Sequence, residues 1–276
     1  MTPSLRRRLV DGPPLSALGL VWPWVAPWRI LAARGRAEAE PGGPRFTVLS
    51  SNALGKNPRA TDYAATVAAI EADVIVVVEA SDRILDALEA AEIQRHHGPG
   101  VVERGPRYDG AGIWSTHPVE RLEAGDICDR GHAYLAVRVH LPQGPVDVLA
   151  VHTYAPVHRG TGRLWRQSFD TLAEVVKRLD GPVVAAGDWN ATLGHRPLRD
   201  FLQRTGLRDA HTAAGRGLAR SWPVWQRMGP VGLIDRAAVS DELGVAAVEE
   251  RRLPGSDHLA VLTTLAVRPR AAAAPR

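Results

Sequence analysis

Polar side chains that could bind a metal ion or a phosphate recur at the ends of apolar segments along this 276-residue chain. They comprise four carboxylates, two carboxamides and two imidazoles: Asn52, Glu79, His152, Asp188, Asn190, Asp235, Asp257 and His258. Strand ends are where a rigid scaffold presents polar groups to one cleft. Hard oxygen ligands suit Mg²⁺ or Mn²⁺. The set predicts a metal site acting on a phosphate, where the metal and a cationic imidazole neutralise charge and a carboxylate orients water.

Each of these residues also has a structural interpretation when it is taken alone. Glu79 could cap a following helix together with Ser81 and Asp82. Asp188 and Asn190 could form a turn with self-bonding side chains. Their recurrence at successive strand ends favours a shared site over several unrelated turns.

The elements that would position these residues alternate between strand and helix patterns from Arg45 onward. Apolar runs predict strands over 46–51, 74–78, 110–115, 133–140, 146–152, 182–186, 234–239 and 259–267. Helical spacing predicts helices over 63–72, 84–91, 163–179 and 198–205. Hairpins mixed with crossover helices indicate mixed sheets covered by helices, an α/β or α+β fold.

Composition and charge exclude several classes of protein. Hydrophobic residues are 45% and charged residues 23% of the chain, which excludes wholesale disorder. Cys128 is the single cysteine, which excludes an intrachain disulfide and a zinc site of several thiolates. The formal net charge of the chain is +4. Residues 1–45 contribute +4 and residues 268–276 contribute +3, so residues 46–267 carry −3. The net charge therefore gives no support for a broad basic DNA-binding face.

The two ends of the chain differ from its body. Residues 1–44 are predicted to form an arm and linker rich in Trp, Pro and Arg, and 268–276 a disordered tail. Prolines interrupt the apolar stretch 13–33, so a spanning helix is not predicted. We place an arm packed on the domain ahead of an interfacial anchor, which would make a peripheral membrane contact, and both ahead of a cleaved export peptide. The expected location is accordingly cytoplasmic or membrane-associated.

Seven short segments together resemble the endonuclease/exonuclease/phosphatase superfamily, which contains deoxyribonucleases, AP endonucleases, neutral sphingomyelinases and inositol-polyphosphate phosphatases. The segments are Ser51-Asn52, Val78-Glu79, Gly112–Ser115, Val151–Thr153, Gly187–Asn190, Ile234-Asp235 and Ser256–His258. They occur in the family's order over roughly residues 45–267. The resemblance implies a catalytic domain there, folded as a four-layer α/β/β/α sandwich of two mixed β-sheets. It also implies Mg²⁺- or Mn²⁺-dependent hydrolysis of a phosphoester by water, without a covalent intermediate.

The resemblance also implies roles for residues around the metal. Glu79 would be the main carboxylate ligand of the ion, with Asn52 and Asp257 close to it. Asp188 would polarise the attacking water, and Asn190 would hold a phosphoryl oxygen.

The two imidazoles receive roles from the same resemblance. His258 would hydrogen-bond the phosphate while Asp235 orients its ring, a pairing that favours the imidazolium. His152 would bind phosphate or protonate the leaving oxygen. A second acid usually orients this histidine, and Glu103 and Asp109 are the candidates.

Departures from the family pattern bear on the substrate. AP endonucleases typically carry Tyr where this chain has His152, and a Thr-Lys pair where Ala80-Ser81 follows the metal glutamate. These differences favour the deoxyribonuclease and sphingomyelinase branch. Arg236 either reaches substrate or is a solvated surface charge. A nuclease that binds nucleic acid is the first expectation, a phospholipid phosphodiesterase the second, and a non-catalytic binding protein on the same fold the rival.

Overall fold

The structure is a computed structural model that describes residues 42–106, 108–128, 130–158, 160–225 and 229–268. The predictions of an N-terminal arm, of a membrane contact through residues 13–33 and of a disordered tail fall almost entirely outside these ranges. Within the described part of the chain, no helix is both long enough and apolar enough to cross a membrane.

Twelve described strands form two six-stranded sheets. The first sheet has the order β11-β12-β1-β2-β4-β3, with β1 at Arg45–Asn52, β2 at Val74–Val78, β3 at Val101–Glu103, β4 at Ala111–Ser115, β11 at Leu243–Arg252 and β12 at Leu259–Val267. The second has the order β5-β6-β7-β8-β10-β9, with β5 at Val119–Asp126, β6 at Ala133–Leu141, β7 at Gly144–His152, β8 at Val183–Asp188, β9 at Arg208–Asp209 and β10 at Asp235–Val239.

Both sheets are mixed, because each has one parallel pair among antiparallel neighbours. The parallel pairs are β1 with β2 and β7 with β8. A parallel pair needs a crossover connection, which a helix usually supplies. The described helices are α1 at Ala60–Ala68, α2 at Asp82–Ala90, α3 at Gln94–His97, α4 at Thr161–Arg178, α5 at Arg196–Thr205 and α6 at Ala210–Ala213. Helix α1 links β1 to β2, and α4 links β7 to β8.

Three apolar clusters show how the layers stack. Strand β2 illustrates the arrangement, since Val76 packs between the two sheets whereas Ile75 packs against α1 and α2. Strand β8 does the same in the second sheet, where Val184 joins the central cluster and Ala185 joins the cluster beneath α4 and α5. A strand that is buried on both faces has a continuous run of apolar residues instead of alternating apolar and polar ones. The four-layer α/β/β/α sandwich of two mixed sheets is confirmed.

The topology directs several polar residues to one edge of the sandwich. The carboxyl ends of β1 and β2 are level, because Asn52 pairs with Val78. In the second sheet His152 pairs with Asp188, and Asp188 pairs across with Asp235. Strands β10 and β12 begin at this edge, and they lie beside β8 and β1, which end there.

Candidate active site

The turns that leave the central strands require unusual backbone conformations. Glu79 follows β2 with φ of 50°, and Asn190 follows β8 with φ of 43°. Gly187 has φ of 145°, and a Cβ there would lie 2.0 Å from the Val151 carbonyl oxygen. Such conformations in non-glycine residues cost of order 1–3 kcal/mol and are concentrated at functional sites. The surrounding structure therefore keeps Glu79 and Asn190 in these conformations despite their energetic cost.

Asn52 and Glu79 form the first part of the site. The Asn52 Nδ2 donates to Glu79 Oε1 at 2.8 Å, and its Oδ1 accepts from the Leu54 amide at 2.9 Å. The Gly55 amide donates to Glu79 Oε2 at 3.0 Å. Burial opposes ionisation of Glu79, but His152 and these hydrogen bonds outweigh it, so the pKa lies below its ordinary value. The cap of α2 is the Ser81 side chain, which leaves both Glu79 oxygens directed to the site.

Asp188 is buried at the centre of the cluster. Its Oδ1 accepts from the Asn190 amide at 2.8 Å, and its Oδ2 accepts from Asn52 Nδ2 at 3.1 Å. The Nε2 atoms of His258 and His152 lie 3.8 and 3.9 Å from Oδ2. Burial raises the pKa of Asp188 to about 7, although His258 partly offsets it. A carboxylate with this pKa suits proton transfer near neutral pH.

His258 is held as a cation by a carboxylate. Its Nδ1 lies 2.9 Å from Asp235 Oδ2 and 3.0 Å from Asp235 Oδ1. Burial disfavours the charged ring, but the carboxylates of Asp235 and Asp188 outweigh burial and raise the pKa of His258 to about 10. Asp235 thus contacts the Nδ1 side of the ring, and Nε2 lies on the side of Asp188.

Asp257 has one oxygen bonded and one oxygen without a hydrogen bond. Its Oδ2 accepts from the Trp222 indole at 3.1 Å, whereas the buried Oδ1 has no hydrogen-bond partner among the described residues. Burial raises the pKa of this carboxyl group. The sequence did not predict this hydrogen bond from Trp222 to Asp257. An unpartnered buried oxygen is what a bound cation would satisfy.

His152 is the second imidazole of the cluster. Its Nε2 lies 3.7 Å from Glu79 Oε1. Burial lowers the pKa of His152 to about 4, although the Glu79 carboxylate acts in the opposite direction. Of the two acids suggested as its partner, Glu103 instead pairs with Arg121, whereas an oxygen of Asp109 lies within 4.8 Å of a His152 nitrogen.

His132 is a neighbour of the site that the sequence did not reveal. Its ring centroid is 5.0 Å from that of His152 and 4.6 Å from that of Tyr154. Its Nε2 lies 4.0 Å from Asp109 Oδ2. The sequence offered no metal-ligand spacing for His132, because pairing between strands brings it to His152.

Arg236 corrects a prediction made from the sequence. Its side chain is buried, and its Nη1 pairs with Asp209 Oδ2 at 2.5 Å while Nη2 donates to the Leu233 carbonyl. It therefore neither points into the cleft nor carries a solvated charge. It supports the backbone instead, and the Trp189 indole donates to its carbonyl oxygen at 3.1 Å.

The structure brings together the eight predicted residues at strand ends, from Asn52 to His258, whereas Glu103 and Arg236 contact other partners. Ligand atoms within 4.8 Å of one another occur in two groups there, Glu79 with His152 and Asp188, and Asp188 with Asp235 and His258. These two groups offer three carboxylates and two imidazoles, and carboxylate oxygen suits a hard divalent cation.

Comparison with protein families gives a match to the endonuclease/exonuclease/phosphatase family over residues 48–258. A family protein from Beutenbergia cavernae has 18% identity and a TM-score of 0.62, covering 81% of this chain and 72% of that one. TDP2 from D. rerio, solved with a single-strand DNA product, has 16% identity, a TM-score of 0.63 and coverage of 80% and 98%.

Beta toxin from Staphylococcus aureus, solved as a variant with bound magnesium ions, has 15% identity, a TM-score of 0.60 and coverage of 82% and 100%. Comparison with curated protein sequences gives no significant match. At these identities the solved structures establish the fold alone.

Proposed function

The chain belongs to the endonuclease/exonuclease/phosphatase family, and on that premise we propose that it is a divalent-metal-dependent phosphoesterase, with nuclease activity as the first candidate. The observation that carries the proposal is the pairing of Asp188, with a pKa of about 7, and His258, with a pKa of about 10, in one cleft. Near neutral pH a carboxyl group can then accept a proton beside an imidazolium that can donate a hydrogen bond to a phosphoryl oxygen.

Glu79, Asn52 and Asp257 are the residues that would hold the metal. Both Glu79 oxygens are directed by donors, and Asp257 Oδ1 has no hydrogen bond among the described residues. The metal-ligand atoms that these three side chains would offer are oxygens, which fits Mg²⁺ or Mn²⁺. When bound, the metal supplies charge neutralisation at the phosphoryl group and lowers the pKa of water.

The remaining residues position the reacting groups. Asp188 orients the attacking water and accepts its proton, because Oδ1 is fixed by the Asn190 amide and Oδ2 faces the cleft. His258 donates from Nε2 to a phosphoryl oxygen while Asp235 holds Nδ1. One N–H of the Asn190 side-chain amide donates to the Thr153 carbonyl at 2.9 Å. The second N–H can donate to a phosphoryl oxygen.

His152 contacts the phosphoryl group or the leaving oxygen. With a pKa of about 4 it is neutral before substrate arrives. It therefore holds the substrate oxygen by a hydrogen bond, and a phosphate anion beside it favours its protonation for transfer to the leaving group.

The first test is nicking of supercoiled plasmid and hydrolysis of bis-p-nitrophenyl phosphate with Mg²⁺ or Mn²⁺. We expect metal-dependent turnover that is lost in Asp188→Ala and kept in Asp170→Ala, which removes an exposed carboxylate paired with Arg204. Turnover by a folded Asp188→Ala protein would contradict its role. If the wild type hydrolyses the small diester but not plasmid, the nuclease assignment fails and the phosphoesterase assignment stands.

A phospholipid phosphodiesterase is the second candidate, because large apolar side chains are exposed on segments next to the site. Trp225 is 47% exposed and lies 6.4 Å from Trp222, ring to ring. Tyr108 and Val157, beside Asp109 and after His152 in sequence, are also exposed. Such residues could contact acyl chains. We expect Trp225→Ala to reduce hydrolysis of sphingomyelin vesicles while leaving bis-p-nitrophenyl phosphate hydrolysis unchanged; equal losses on both substrates would reject this role.

A further inference from the structure

A second group of metal-ligating side chains shares His152 with the catalytic cluster. One carboxylate oxygen of Asp109 and one nitrogen each of His132 and His152 lie within 4.8 Å of one another. His152 also belongs to the group formed with Glu79 and Asp188. It therefore belongs to two sets of ligand atoms, one of which includes the catalytic residues Glu79 and Asp188.

The two imidazoles have buried nitrogen atoms with no hydrogen bond. The Nδ1 atoms of His132 and His152 are both buried and have no partner among the described residues. The His152 side chain is 7% exposed and that of His132 is 14% exposed. Leaving a buried polar atom unsatisfied costs about 1–3 kcal/mol. A bound cation would convert two such imidazoles into ligands, which gives their arrangement a purpose that ring packing on Tyr154 does not.

The loops that carry Asp109 and His132 are fixed to each other. The Ala133 amide donates to the Asp109 carbonyl at 3.0 Å. A Cβ on Gly105 would lie 2.5 Å from the same carbonyl oxygen and 2.8 Å from that of Gly131. The close approach of the two loops thus depends on a glycine. Ligand atoms on one tetrahedral zinc ion are about 3.4 Å apart, so the side chains need to move by about 1 Å to close on an ion.

We propose that Asp109, His132 and His152 form a binding site for a zinc-like transition-metal ion, and that its occupancy inhibits the enzyme. Two imidazoles and one carboxylate are a ligand set that suits Zn²⁺ rather than Mg²⁺, with the fourth position open to water. A cation on one nitrogen of His152 opposes protonation of the ring, so it removes the acid that the leaving oxygen would need. This inhibitory consequence rests on the proposed role of His152 in phosphoester hydrolysis, whereas the binding site does not.

The experiment measures Zn²⁺ binding to the full chain by competition with a chromophoric chelator in saturating Mg²⁺, with Co²⁺ absorption as a fingerprint of nitrogen ligands. We expect one tightly bound ion. His132→Asn and Asp109→Asn should each weaken it by at least about tenfold. His140→Asn is the matched control, because His140 is half exposed and pairs with Glu120; it should not change the affinity.

A further variant separates this site from the catalytic metal site. Glu79→Gln should retain Zn²⁺ binding, because Glu79 is not one of the three ligands. Loss of binding in Glu79→Gln, unchanged binding in a folded His132→Asn or Asp109→Asn protein, or absence of Zn²⁺ binding by the wild type would overturn the proposal. The two ligand variants remove different side chains, and circular dichroism establishes whether each is folded.

The inhibitory effect has its own readout. Zn²⁺ should reduce Mg²⁺-dependent hydrolysis of bis-p-nitrophenyl phosphate by the wild type, and His132→Asn should require at least about tenfold more Zn²⁺ for the same loss. Equal sensitivity of the two proteins would reject inhibition through this site. If neither protein hydrolyses any phosphoester, the proposed function fails while the chelator titration still decides the binding site.

Discussion

Replacing Asp188 by Asn should abolish turnover and stabilise the metal-free protein. The carboxyl group is buried, and its pKa is raised to about 7 by that burial. An aspartate in an unfolded chain has a pKa of about 3.9. Above pH 7 Asp188 is therefore ionised in a buried position that disfavours its negative charge. Asn has nearly the same volume and carries no charge, so it avoids this cost.

The size of the effect follows from the difference between the two pKa values. Three pKa units correspond to about 4 kcal/mol, since one unit is worth 1.36 kcal/mol. In the wild type the Asn52 amide donates a hydrogen bond to Asp188 Oδ2 at 3.1 Å. In the variant an N–H group of the new Asn would replace that oxygen, and losing the hydrogen bond costs about 1 kcal/mol of stability. The net stabilisation at pH 8 is about 3 kcal/mol, or roughly 6–12 °C in Tm for a chain of this size.

The pH dependence has a definite sign. Between pH 4 and 7 the folded protein binds more protons at Asp188 than the unfolded chain does, so this group makes wild-type stability fall as pH rises. At pH 4 the amide contact is the main difference, so the Asn variant should be no more stable than the wild type; its full advantage of about 3 kcal/mol should be reached by pH 8. Urea unfolding in EDTA at several pH values measures it.

Asp147 provides a matched control, because this buried aspartate is paired with a cationic side chain. Asp147 accepts from Arg138 Nε at 2.7 Å and Nη2 at 2.9 Å, and from the Gly181 amide. Asp147→Asn should therefore destabilise the protein, by about 2 kcal/mol, because it weakens charge-assisted hydrogen bonds. If Asp188→Asn also destabilises at pH 8, or if its effect does not grow with pH, the argument from burial is refuted.

Three further changes test the supporting structure. Trp222→Phe removes the donor to Asp257 and should raise the Mg²⁺ concentration needed for half-maximal activity by about tenfold; an unchanged Mg²⁺ dependence would show that the hydrogen bond is dispensable. Asp235→Asn should lower the pKa of His258 from about 10, as NMR titration of the ring would measure, and should remove stability that the wild type has below pH 6.5 and loses as pH approaches 10. Gly187→Ala should prevent folding, because its φ and the neighbouring carbonyl leave no room for a methyl group; a soluble, cooperatively unfolding variant would contradict this.

The sequence predicts the central elements best, because burial on both faces leaves a simple pattern. Val74–Val78 is a strand with the predicted limits, and Leu259–Val267 is as well. The edge strands Val119–Asp126 and Leu243–Arg252 were missed, since their charged and partly exposed residues give no continuous apolar run. Charged edge strands are common because they oppose pairing with another chain.

The site was predictable to the extent that strand ends mark it. Residues that end or begin central strands, such as Asp188 and Asp235, could be grouped from the sequence because sheet topology brings strand ends together. His132 could not, because it lies in the turn before β6, and the pairing of β6 with β7 is what brings its ring to His152. Arg236 was misjudged for a similar reason, since its partner Asp209 lies on a two-residue strand without a sequence signal.

The distribution of unsatisfied charge distinguishes the site from the rest of the interior. Away from the cleft, the buried carboxylate of Asp147 is satisfied by Arg138, and that of Asp209 by Arg236. In the cleft, burial raises the pKa of Asp188 and Asp257, and one Asp257 oxygen has no hydrogen bond from the described residues. The fold gives buried aspartates elsewhere an arginine partner, whereas Asp188 and Asp257 lie where burial disfavours their ionised forms, which reflects a requirement other than stability. Groups arranged in this way are ready to receive a cation and a reacting phosphate, and the chemistry proposed here needs both.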